Sequence, residues 1–115
     1  MRYLLMICVD EVAYEALSPE ETEASMAGYG AWMQEATERG VLQGGERLRP
    51  TTDATTVRVR DGQALTTDGP FAETKEQIGG YFLVDCKDLD EAIELASKLP
   101  GAAAGAIEVR PIWEM

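Results

Sequence analysis

Asp68-Gly69-Pro70-Phe71-Ala72-Glu73-Thr74-Lys75-Glu76-Gln77-Ile78-Gly79-Gly80-Tyr81-Phe82-Leu83-Val84-Asp85 runs from a turn into a strand, and its two halves follow different rules. In the first half Asp68 can bond its own backbone, Gly69 can take positive φ, and Pro70 fixes φ and removes a donor, so the chain reverses. Phe71 comes directly after the turn. Its burial would stabilise the loop by roughly 1.5–3 kcal/mol and is expected to pin the polar segment that follows. The plain reading of residues 68–80 is a solvated connection with a hydrophobic pin; the functional one is an ordered loop lining a pocket. In the second half, Gly79 and Gly80 admit the backbone to a closely packed strand, and Tyr81, Phe82, Leu83 and Val84 are apolar on both faces. Such a strand belongs inside a sheet covered on two sides.

A matching strand opens the chain. From Arg2 to Val9, Tyr3, Leu5, Ile7 and Val9 point one way while Leu4, Met6 and Cys8 point the other, so it belongs beside Tyr81–Val84. A helix over 19–39 is marked by Ser18 as N-cap, Pro19 at the first helical position and Glu21 three residues past the cap, with Gly40 as its stop. Its stripe Thr22, Met26, Tyr29, Met33 and Ala36, with Trp32 alongside, reads as core. Val41 to Leu48 is extended, Gly44-Gly45 suggests a bulge, and Glu46 and Arg47 fall on opposite faces. Thr55 to Arg60 alternates and turns at Asp61-Gly62 into Gln63–Thr67, a hairpin. A second helix starts at the Asp88 N-cap, buries Leu89, Ala92, Ile93, Ala96 and Leu99, and stops at Pro100-Gly101. Residues 101–105, only Gly and Ala, read as a small mobile loop. The strand 107–113 carries Pro111, which places it at an edge.

Strand, helix, strands, strand, helix, strand is the split βαβ order of an α+β fold, a ferredoxin-like antiparallel sheet with two helices on one face. Residues 3–9 and 81–86 are expected at its centre, with 55–60 and 107–113 outside. Two helices cover one face only. The other apolar face calls for a second copy packed sheet to sheet, a homodimer.

At 115 residues the chain makes one domain, 1–115. The formal charge of −11, from 21 acidic against 10 basic residues, would repel phosphate backbones and anionic lipid, so neither nucleic acid nor membrane is expected as a partner. Leu4–Val9 is too short to span a bilayer and Asp10-Glu11 follows at once, which makes a cytoplasmic location the expectation. Cys8 and Cys86 are isolated thiols in buried strands and read as small core hydrophobes. The sequence has no histidine, the commonest metal ligand, and neither metal nor cofactor is expected.

The run DGPFAETKEQIGGYFLVD at 68–85 resembles the signature of DGPF-domain proteins, a branch of the YCII-related family. The likeness extends to LSPEE at 17–21, GERL at 45–48, TTVRVRDG at 55–62 and IEVRPI at 107–112. The resemblance implies the dimeric α+β barrel, in which two ferredoxin-like units join through their sheets. It implies no agreed reaction; the branch is known mostly from gene neighbourhood with alternative sigma factors. A His and Asp pair is the suspected dyad of the better-studied branch, and with no histidine here it is not carried over.

General acid–base work then falls to a carboxylate, lysine or tyrosine. Asp68, at the motif position, is the first catalytic candidate, with Lys75 as a charge partner that would lower its pKa; the plain alternative is an aspartate bonding its own turn. Arg110 could hold a substrate carboxylate through two bonds, or simply form a surface salt bridge. Glu73, Phe71, Tyr81 and Glu46 complete the substrate-binding candidates. Two functions follow: acid–base or lyase-type chemistry on a small organic molecule in a pocket near the 68–80 loop, or a non-catalytic module binding a small ligand or a regulatory partner tied to sigma-factor-controlled genes.

Overall fold

The computed structural model describes all 115 residues. In chain order the elements are β1 (Arg2–Asp10), α1 (Glu11–Glu15), α2 (Pro19–Glu38), β2 (Leu42–Arg47), β3 (Thr55–Arg60), β4 (Gln63–Asp68), β5 (Glu76–Asp85), α3 (Leu89–Ser97), α4 (Pro100–Ala104) and β6 (Ala106–Pro111). Four strands form an antiparallel sheet in the order β2-β5-β1-β6, with the two strands that are apolar on both faces at its centre. The helices cover one side, and the fold is α+β and ferredoxin-like. No helix is long and apolar enough to cross a membrane.

Register decides which side chains meet. Tyr3 pairs with Val84 and Leu5 with Phe82, so these four share the helix side, where they are buried with Trp32, Ala36, Ala92, Leu95, Ala96 and Leu99. Trp32 ties the layers together: its ring lies 4.5 Å from that of Phe82, and its indole N–H donates to the Leu95 carbonyl at 2.8 Å. The start of α2 is fixed by the reciprocal cap expected from the sequence, Ser18 Oγ accepting from the Glu21 N–H and the Glu21 carboxylate from the Ser18 N–H, both at 3.1 Å. Asp88 caps α3, accepting from the Glu91 N–H at 2.9 Å, while the Glu91 carboxylate accepts from the Lys87 N–H at 3.0 Å. On the other side of the sheet, Leu4 pairs with Leu83 and Met6 with Tyr81, and no helix lies over them.

Two expectations are corrected. The outer strand beside β5 is β2, not 55–60; its Gly44-Gly45 pair hides the alternation, and the expected bulge is realised as a register shift between Leu42 and Gly44. Pro50 and a single 3-10 turn at Thr51–Asp53 divert the chain, and β3 and β4 pair only with each other as a separate hairpin. Asp61 (φ 52°) and Gly62 (φ 76°) form its turn as the dipeptide predicts. The second correction concerns 101–105, which is not a loop. Pro100 opens the one-turn helix α4, alanines sustain it, and Gly101 is buried against β1.

The hairpin leaves Val57, Val59 and Leu65 exposed and stands out from the body. The Cα radius of gyration is 16.0 Å, where a compact chain of this length would have about 13 Å.

Candidate functional site

Where α2 passes over β2 and β5, the sheet offers it glycines. Gly45, Gly79 and Gly80 provide no side chains to meet the helix, and a cleft of about 510 Å³ opens there. At Gly45 nothing larger fits, since a Cβ would stand 2.4 Å from the Phe82 ring. The apolar walls are Ile7 and Val9 of β1, Phe82 of β5, Leu17, and Met26, Tyr29 and Met33 of α2. The helical stripe read as core therefore splits. Trp32 and Ala36 are buried, whereas Met26 and Met33 stay partly exposed along the cleft because the sheet opposite them has no side chains to receive them.

Polar groups gather at the mouth. Asp10 caps α1 by accepting from the Val12 N–H at 3.1 Å and the Ala13 N–H at 3.3 Å, and this one-turn helix carries Glu11 and Tyr14 to the rim. Glu11 accepts from the Thr51 N–H at 2.9 Å and the Thr51 hydroxyl at 2.6 Å, which straps the segment after β2 to α1. Arg47 lies two residues past Gly45 and so points to the same side of the sheet; its guanidinium donates to the Tyr14 hydroxyl at 3.2 Å and sits 5.6 Å from that ring's centre. Burial pushes the Tyr29 phenol above its ordinary pKa, against the opposing pull of the Gly101 backbone and the Arg47 charge. No three His, Cys, Asp or Glu side chains converge to hold a metal ion.

Of the residues singled out from sequence, Glu46 and Tyr81 border this cleft. They pair with each other, and Tyr81 with Met6, so their side chains share the sheet's second face and their main chain lines the cleft. The others lie elsewhere. Asp68 ends β4 opposite Thr55, and its turn is held by the Gly69 N–H donating to the Ala54 carbonyl and the Thr56 hydroxyl donating to the Gly69 carbonyl, not by the aspartate side chain. Lys75 makes no salt bridge with Asp68; it borders a shallow depression with Cys8, Glu76 and Glu108. Glu73 is exposed. Arg110, on the same face as Leu4, pairs with Glu108.

Phe71 is not the buried pin expected of it. The ring is 75% exposed and rests on the Arg58 guanidinium at 5.0 Å, because the hairpin stands clear of the core that would have received it. The thiols behave as small hydrophobes: burial raises the Cys8 pKa and pushes Cys86 up to about 11.

Sequence reasoning passed over Tyr14 and assigned Tyr29 to the core. Arg47 counts in the sequence as one of several charged strand residues worth weighing, alongside Glu46, Arg58, Arg60 and Arg110, with nothing to single it out. The available signal was the Gly45-x-Arg47 spacing on one side of a strand, next to a partner strand with two adjacent glycines.

The whole chain, residues 1–115, matches the YCII-related domain. It is also 43% identical over 114 residues to the uncharacterized protein R00369 of Rhizobium meliloti (strain 1021), a match spanning 97% of this chain and 92% of that protein. A split βαβ sheet, a family match from end to end and a relative of nearly equal extent agree, and the chain belongs to the YCII-related family.

Proposed function

We propose that the cleft between α2 and the sheet binds a small, largely apolar organic molecule, and that the protein acts as a homodimer. The carrying observation is the cleft itself, about 510 Å³ with a largely apolar surface and charged residues supplied by α1, the end of β2 and the segment after it. Small-molecule sites are of this kind, roughly 300–1,000 Å³ with sparse polar groups that fix orientation. Acid–base chemistry on the ligand would draw within one chain on Tyr29 and Tyr14. Asp68 and Lys75, the candidates of the DGPF signature, would join only if a second copy brought its hairpin and 68–80 loop to the cleft. Support for a second copy comes from the uncovered sheet face and the exposed apolar hairpin.

The test is a thermal-shift screen of small apolar carboxylates, phenols, lactones and amides on the wild type and on Met33→Trp, whose ring would fill the cleft. A ligand at 100 times its dissociation constant stabilises the fold by about 2.7 kcal/mol. The expected result is a shift in the wild type that Met33→Trp abolishes. If Asp68→Asn retains ligand binding but loses turnover of the bound molecule, the catalytic reading stands. The second reading, a non-catalytic module for a regulatory protein linked to sigma-factor-controlled genes, draws on exposed Val57, Val59, Leu65 and Phe71. It would prevail if no ligand shifted the wild type and a specific protein were captured only with those side chains intact.

A further inference from the structure

We infer that the cleft selects an anion, a monocarboxylate with an apolar body, and that Arg47 is the residue that takes the carboxylate, with Tyr14 orienting it. This rests on the cleft being the binding site. The chain carries 21 acidic residues against 10 basic ones, and yet Arg47, like the hairpin's Arg58 and Arg60, has no carboxylate partner; unlike them, it faces a cleft. Two arginines line the cleft. Arg49 is paired with Asp53 at 3.0 Å, whereas Arg47 has only the Tyr14 hydroxyl.

Local structure keeps it so. Arg47 faces Gly80 across the β2–β5 ladder and therefore has no cross-strand side chain to pair with. Of the two carboxylates that α1 carries to the cleft, Glu11 has both oxygens committed to Thr51, and Glu15 makes no ion pair with Arg47. Glu46, next in sequence, points to the opposite face. A guanidinium has five N–H donors in a planar fork, and the bond to Tyr14 uses one, leaving an edge free for two parallel bonds to a carboxylate. Tyr14 meets the guanidinium both at its hydroxyl and near its ring, so it fixes the plane of the fork. The Met26 and Met33 thioethers and the Phe82 ring give the same cleft apolar walls that adapt to different hydrocarbon shapes.

The experiment is calorimetric titration of matched pairs: phenylacetate against phenylacetamide, and 4-methylpentanoate against its primary amide. Wild type, Arg47→Gln, Arg47→Lys, Met33→Trp and the remote control Arg110→Gln are compared, with melting temperatures confirming that each is folded. The wild type is expected to prefer carboxylate over amide by at least about tenfold, as charge-assisted bonds to a fork require. Arg47→Gln should erase that preference while leaving amide affinity within about twofold, Arg47→Lys should retain part of it, and Arg110→Gln should leave it unchanged. Equal wild-type binding of acid and amide, both lost in Met33→Trp, would overturn the anion inference and leave the cleft reading standing. Absence of binding by every compound at millimolar concentration would overturn both.

Discussion

Tyr29 and Trp32 are three residues apart on α2 and meet different surroundings. Trp32 faces Phe82 and the α3 backbone, and its one polar atom is satisfied by the Leu95 carbonyl. Tyr29 is turned towards the glycine floor and α4; a Cβ on Gly101 would stand 2.8 Å from its hydroxyl oxygen. Aromatic residues in one helical stripe look alike in sequence, because periodicity reports a face and not what lies opposite it. The same limit applies to Phe71, whose burial follows from its chemistry only if a core lies within reach. Two substitutions separate these environments. Trp32→Ala should cost roughly 3–5 kcal/mol in urea unfolding, while Phe71→Ala should cost less than about 1 kcal/mol. A large loss at Phe71 would place the ring in a buried contact, inside the chain or against a second copy.

Elements with strong local signals were legible. The caps of α2 and α3, the Asp61-Gly62 turn and the two central strands follow directly from capping chemistry, positive φ and two-sided apolarity. The edge position beside β5 was not, because alternation in Thr55–Arg60 marks a strand with two unlike faces and does not name its neighbour. The cleft was hidden for a related reason: it is made by side chains that are missing at Gly45, Gly79 and Gly80. Contacts between helices also escape a linear reading. Arg39 at the end of α2 reaches Glu91 and Glu94 of α3, both at 3.2 Å, and Lys98 joins Glu35 at 3.2 Å. Glu94 is held below its ordinary pKa of 4.5 chiefly by its hydrogen bond to Arg39, and Glu91 chiefly by the Lys87 backbone N–H and then by Arg39. A carboxylate with a lowered folded-state pKa contributes stability above its ordinary value and loses it as pH falls through the folded one. Unfolding stability should therefore decline below about pH 4.5, and the decline should be shallower in Arg39→Gln. Parallel pH curves for the two proteins would assign the acid sensitivity to other groups.

For the whole molecule the surface left without a covering layer is the sheet's second face. Leu4, Met6, Tyr81 and Leu83 lie there with no helix above them, and the hairpin adds Val57, Val59 and Leu65. A lone two-stranded hairpin is marginally stable in water, so these strands need support beyond their own ladder. In the proposed homodimer a second copy would supply it, with an expected total burial of about 1,200–2,000 Å². Light scattering at micromolar concentration should give twice the 12.5 kDa chain mass; a species of chain mass would contradict the dimer. Binding in the cleft is tested most directly with the protein's five methionines as reporters. Met26 and Met33 line the cleft, Met6 lies on the far face of the sheet, and Met1 and Met115 are terminal. With 13C-labelled methionine methyls, titration with phenylacetate and phenylacetamide should move the Met26 and Met33 resonances and leave Met1, Met6 and Met115 in place. Shifts confined to Met6 or the termini, or none at saturation, would contradict a binding site in this cleft.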